Sequence, residues 1–189
     1  ILFTPMDLDH ERILERITRA FPKLSIIGCT TDGELSSNLG FREDSTVLAV
    51  LTSQHLSFGV GMGHDLGANP IRATQVAASR ALENLSEPPR LCITTPESLA
   101  SRGSAVIEGL QAILGEDVPI VGGTAGDYWR FHGTRQFCGT EVARDAVPVL
   151  VISGPLQLSV GVSSGWTPLG RAVRVTRVEG NVLYELDEK

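Results

Sequence analysis

Two short stretches carry most of the residues whose chemistry could serve a ligand. The first, Gly28-Cys29-Thr30-Thr31-Asp32-Gly33-Glu34, follows the apolar run Leu24-Ser25-Ile26-Ile27. The second, Gly122-Gly123-Thr124-Ala125-Gly126-Asp127, follows Val118-Pro119-Ile120-Val121. Glycine lets the backbone approach a ligand closely, and successive N–H groups can cup an anion such as a carboxylate. The hydroxyls of Thr30 and Thr31 add donors and acceptors, while Asp32 or Glu34 can accept from an ammonium group. The competing reading is a tight turn whose hydroxyls and carboxylates satisfy their own backbone. Overlaid on each other, the loops match Thr30 with Thr124, but Asp32 falls opposite Gly126 and Asp127 opposite Gly33. The acids are displaced by one residue, so the two loops would do different work.

Cys29, at a strand end, invites a nucleophile reading, because N–H dipoles at a glycine-rich turn can lower a thiol pKa. No histidine is adjacent, although His64-Asp65 could arrive through folding, and its counterpart in the second loop is Gly123. A small buried side chain explains it equally simply. Asp127-Tyr128-Trp129-Arg130-Phe131-His132, with Arg135-Gln136-Phe137 behind it, concentrates aromatic residues in a chain that is only 5% aromatic. Beside a glycine loop such a block can form a pocket wall, with Arg130 or Arg135 pairing with a carboxylate, or a hairpin covering a sheet edge. Ser163-Ser164-Gly165-Trp166-Thr167-Pro168-Leu169-Gly170 offers a second aromatic turn, either binding or plugging a strand end. Gly59-Val60-Gly61-Met62-Gly63 lacks the later glycine and the Gly-Lys pair of phosphate loops, so nucleotide binding has no support there.

Ile1 to Thr4 is a strand. A helix starts from Asp7 or Asp9 and runs through Ile13, Leu14, Ile17, Ala20 and Phe21 to Pro22. Leu24 to Cys29 is the strand entering the first loop, and Ser45 to Thr52 is a strand apolar on both faces. Leu56 to Gly63 is a strand whose Gly59, Gly61 and Gly63 predict bulges or close packing. Asn69-Pro70 starts an alanine-rich helix over Ile71 to Leu85, whose small side chains predict a close approach to a sheet. Arg90 to Thr95 is a strand and Ser104 to Leu114 a helix ended by Gly115. After the second loop come strands over Thr134 to Val142, Val147 to Ser153 and Leu156 to Ser163, then a pair, Arg171 to Val178 and Val182 to Leu186, around Glu179-Gly180-Asn181.

The order is βαβββα and then βαβββ, and Leu56-Ser57-Phe58-Gly59-Val60 is echoed by Leu158-Ser159-Val160-Gly161-Val162. A repeat over roughly 1–86 and 90–165, with terminal strands in 171–186, is too long for a solenoid unit and reads as a duplication with pseudo-twofold symmetry. The expected fold is α/β of the α+β kind: a layered sandwich of mainly antiparallel sheets with helices on the outer faces, in a single domain over 1–189.

Composition narrows the function. With 189 residues, 42% of them hydrophobic, the chain can bury a real core. A net charge of −6 argues against nucleic acid or an anionic membrane as partner, and no apolar run reaches the roughly 18 residues of a membrane span. Cys29, Cys92 and Cys138 form no CxxC pair, and His10, His55, His64 and His132 are scattered, so neither a disulfide framework nor a metal cluster is indicated. A reducing cytoplasm and no cofactor are expected. Ile1 opens inside an apolar run without an initiator Met, so a longer parent protein is expected.

Ile26-Ile27-Gly28-Cys29-Thr30-Thr31-Asp32-Gly33-Glu34, Asp44-Ser45, Pro119-Ile120-Val121-Gly122-Gly123-Thr124-Ala125-Gly126-Asp127, Gly165-Trp166-Thr167-Pro168-Leu169-Gly170 and Val175-Thr176 occur in the order of the FIST N domain, which the chain closely resembles over nearly its whole length. The resemblance implies an intracellular sensory module of bacterial signal transduction, non-enzymatic, binding a small ligand, with amino acids the suggested class. It also implies a FIST C domain after Lys189 and a signalling output domain beyond. The candidate ligand residues are Gly28, Cys29, Thr30, Thr31, Asp32, Gly33, Gly122, Gly123, Thr124, Gly126, Asp127 and Trp166. The alternatives are a Cys29-dependent hydrolase or transferase and a ligand-free dimerisation or scaffold module, the protein then acting as a homodimer.

Overall fold

Alternation and small residues decide how the layers stack. The computed structural model describes residues 1–99, 103–179 and 182–189, and its contacts divide the chain into two compact units, 1–156 and 157–189. The first unit holds β1 (Leu2–Thr4), α1 (His10–Ala20), β2 (Ile27–Thr30), β3 (Glu34–Ser36), β4 (Gly40–Arg42), β5 (Val47–Leu48), β6 (Ser57–His64) and α2 (Pro70–Leu82). It continues with β7 (Pro89–Thr94), α3 (Gly103–Leu114), β8 (Ile120–Gly122), β9 (Gln136–Cys138), β10 (Glu141–Ala143) and β11 (Ala146–Ser153).

One sheet has the order β10-β9-β2-β1-β5 and the other β6-β11-β7-β8. In each, a helix links two parallel neighbours: β1-α1-β2 in the first, β7-α3-β8 in the second. The remaining pairings are antiparallel, as expected from a mainly antiparallel sandwich. β11 shows why the sheets stack. Its Val147, Val149 and Val151 join the core beneath α2 and α3. The alternate residues Leu150 and Ile152 pack with Ile27 of the other sheet. Leu14 of α1 covers the far face of that other sheet with Leu2 and Phe137. The first unit is therefore helix, sheet, sheet, helix, the helices outside.

The glycines of β6 are contact points for α2. A Cβ at Gly59, Gly61 or Gly63 would collide with the carbonyl oxygens of Ala81, Ala77 and Ala73 respectively. The alanine stripe of the helix and the glycine stripe of the strand thus let two backbones touch. Asp9 caps α1 by accepting from Arg12 N–H at 3.0 Å.

Several strands differ from the sequence reading. The expected strand over Thr134 to Val142 is a hairpin, β9 and β10, turned at Gly139 with φ +60. The hairpin β3–β4 follows the first glycine loop where only a loop was expected. The strand expected over Ser45 to Thr52 shrinks to Val47–Leu48, because it pairs on one side only, with β1. Leu156 to Ser163 forms no strand: within 157–189 the ladder is β12 (Val175–Glu179) with β13 (Val182–Leu186), and a strand needs a ladder partner. The turn expected at Gly180-Asn181 lies outside the described residues. Among those described, no helix is long and apolar enough to cross a membrane.

Candidate functional site

The two glycine loops meet. Each leaves the C-terminal end of a strand that is parallel to its neighbour, and each strand carries a glycine pressed on that neighbour's backbone. A Cβ at Gly28 would strike the carbonyl of Leu2, and one at Gly122 the carbonyl of Thr94. Beyond these points Gly126 N–H donates to the Thr30 carbonyl at 2.8 Å, and Tyr128 N–H donates to Asp32 Oδ1 at 2.6 Å. A side chain at Gly126 would collide with the Asp32 carboxylate. The loops thus form one seam.

Most of the seam's polar groups hold its own backbone. Thr30 is fully buried, and its Oγ1 accepts from Arg135 N–H at 3.1 Å while its own N–H donates to the Arg135 carbonyl at 2.9 Å. Thr31 N–H meets the Thr4 carbonyl at 3.0 Å, and the Thr31 hydroxyl donates to the buried Glu34 carboxylate, which also accepts from Ser45. Asp127, 4% exposed, accepts from the N–H groups of Phe131, His132 and Gly133. Burial alone pushes its carboxyl up, but those backbone donors overcome it and hold the group below the ordinary carboxylate value.

What the seam turns to solvent is different. Asp32, Gly123 and Thr124 are exposed. Among the described residues, no acceptor takes the N–H of Thr124, and Asp32 Oδ2 meets no donor. Beside them the loop after Asp127 displays Trp129 and Phe131, ring centroids 6.1 Å apart, edge to face. Tyr128, Trp129 and Phe131 all have left-handed backbones, φ +60, +59 and +55. Such conformations are costly for aromatic residues and persist only where surroundings impose them. The Asp127 carboxylate imposes them from within, and Arg130, bidentate to Asp7 at 2.7 and 2.8 Å, anchors the loop to the segment before α1. Its guanidinium also stands 5.5 Å from the centre of the Tyr128 ring, and the Tyr128 hydroxyl donates to Asp44.

Cys29 is 1% exposed, and desolvation pushes its thiol up to about 12, with the nearby Thr95 hydroxyl pulling weakly the other way. A thiol that stays neutral at pH 7 has no thiolate to attack with. Gly33, at φ +148, lies against the Phe41 ring. Trp166 belongs to the second unit, where its side chain is 87% exposed. No group of three His, Cys, Asp or Glu among the described residues is placed to hold a metal. Of the residues that make the seam, Ser45, Tyr128 and Arg135 carry hydrogen bonds that their types and positions did not foretell. Their partners lie 11, 96 and 105 residues away.

The FIST N domain family matches residues 1–189, the whole chain. A stretch of 79 residues is 38% identical to an uncharacterized protein of Methanocaldococcus jannaschii; it spans 41% of this chain and 15% of that protein's length. Matched by the family over its whole length, the chain belongs to the FIST N domain family, which is consistent with a signal-transduction sensory domain.

Proposed function

We propose that this domain binds a small metabolite at the seam of the two glycine loops, with free amino acids the first class to test, and does no chemistry on it. The observation that carries the reading is the bond from Gly126 N–H to the Thr30 carbonyl, which joins two loops distant in sequence into one polar surface. On that surface the N–H of the exposed residue Thr124 suits a carboxylate, and the Asp32 carboxylate suits an ammonium group. Trp129 and Phe131 supply an apolar wall. The buried Thr4 hydroxyl, in the residue whose carbonyl receives Thr31 N–H, has no hydrogen-bond partner among the described residues, which is unusual for a buried polar group.

Signalling follows from the strained loop. A ligand that bears on Trp129 and Phe131 favours one of two arrangements of residues 127–133, and the parent protein reports the shift through an attached FIST C or output domain in the cytoplasm. A thermal-shift screen of the amino acids tests this. At least one raises the melting temperature of the wild-type chain, and Asp32→Asn, which keeps the acceptor for Tyr128 N–H but removes the charge, loses that rise while remaining folded. An unchanged rise in the variant contradicts the assignment.

A further inference from the structure

Thr4 closes β1 with a hydroxyl that folding leaves unmatched. The residue is fully buried, and its Oγ1 meets no hydrogen-bond partner among the described residues. Such a group has given up its bonds to water without replacing them, which is why buried hydroxyls are ordinarily paired. Thr4 stands opposite Thr30 in the parallel ladder of β1 and β2, and residues in register on neighbouring strands point to the same face. The hydroxyl therefore lies beside that of Thr30, at the root of the seam.

The loop over 127–133 is tied down around this point. Just before it, Gly126 N–H donates to the Thr30 carbonyl. Just after it, Arg135 N–H donates to Thr30 Oγ1, and the Arg135 carbonyl accepts from Thr30 N–H. At its middle Arg130 holds Asp7, a short step along the chain from Thr4, through two hydrogen bonds. The loop thus begins and ends on the cross-strand neighbour of Thr4 and is clamped to the segment that continues from it. Its Tyr128 N–H takes Asp32 Oδ1, one oxygen of the carboxylate that suits an ammonium group.

The clamp is of a kind that can be undone. A bidentate pair of guanidinium and carboxylate fixes one geometry, but neither side chain is buried, and an ion pair in contact with water contributes little to stability. The loop it holds is strained at Tyr128, Trp129 and Phe131, whose left-handed backbones would relax on release.

We propose that residues 127–133 are a latch over a ligand subsite, and that an amino acid binds by freeing Arg130 from Asp7, giving its ammonium group to Asp32 and one of its oxygens to the Thr4 hydroxyl. The subsite rests on the seam being a ligand surface, as proposed above. In the closed chain Tyr128 occupies the first of these protein groups and the second has no partner; the bound amino acid serves both.

Amide exchange and calorimetry on the full chain test latch and subsite separately. Arg130→Gln, which takes the charge out of the clamp, speeds exchange of the Tyr128 amide by about tenfold or more, while the Val149 amide inside β11 exchanges as in the wild type. Of the standard amino acids, one that binds the wild type binds Arg130→Gln severalfold more tightly, because no clamp has to be broken first. Thr4→Val keeps the shape and removes the hydroxyl; it binds the same amino acid about tenfold more weakly and melts no lower than the wild type. Unchanged Tyr128 exchange or unchanged affinity in Arg130→Gln would overturn the latch. A Thr4→Val chain that melts lower would show that the hydroxyl has a partner in the closed fold, and one that binds as the wild type does would remove the subsite while leaving the ligand surface standing. Silence of the wild type and both variants toward every amino acid would instead sink the ligand surface, and the subsite with it.

Discussion

Asp127 shows how a residue type can point to a site while its bonds point inward. Its carboxylate accepts three N–H groups of the loop that follows it, and its pKa is held down. The folded value lies below the unfolded one, so the stabilisation is fully present above the ordinary carboxyl value of about 4 and fades as pH falls through the folded value. Asp127→Ala should cost about 1–3 kcal/mol, because three partly buried N–H groups lose a charged acceptor. Denaturation of wild type and variant at a series of pH values checks this, and the gap between them should close in acid. A gap that persists unchanged to low pH would show that charge is not what the loop uses. Cys29 makes the converse case. Buried, with its thiol pushed up to about 12, it should label with iodoacetamide far more slowly at pH 7.5 than the half-buried Cys138, and only as the chain opens. Rapid labelling of Cys29 in the native chain, read by peptide mass mapping, would restore the nucleophile reading. That Asp127 and Thr30 sit at the seam was legible from the loops themselves; that their polar atoms face backbone was not, since those partners are fixed by folding.

At the scale of elements, the glycine and alanine stripes were the most informative pattern in the chain. Three glycines at alternate positions of one strand and three alanines spaced four apart on the next helix can only reflect backbone contact on one face, and β6 and α2 show it. Gly61→Val should therefore destabilise by about 1–3 kcal/mol through overpacking, whereas the same change at Gly103, where a Cβ meets nothing within 4 Å among the described residues, should cost far less by comparison in urea denaturation. Equal effects would mean that helix and strand are not in register as described. The strand pairings were less legible. Gly139 between Cys138 and Thr140 was a turn signal inside an otherwise continuous strand pattern, and it splits β9 from β10. The length of β5 could not be read at all from Ser45 to Thr52, because apolar residues extend a strand only as far as a neighbour receives their backbone groups.

For the molecule as a whole, the layering follows from strands with two apolar faces. β11 is buried at all eight positions, so it needs cover on both sides, and helices with the second sheet provide it. The same layering carries the ends of β2 and β8 toward each other and lets loops from sequence positions nearly a hundred residues apart share hydrogen bonds. Residues 157–189 form their own unit, and Trp166 lies in it, so the seam described above rests on the first unit alone.

Calorimetric titration of amino acids into the wild-type, Asp32→Asn and Trp129→Ala chains decides whether the seam is a ligand surface. The wild type should give saturable heat, and each variant should lose about tenfold or more in affinity at unchanged melting temperature. Binding that both variants leave intact, or no heat from any member of the panel, would contradict it.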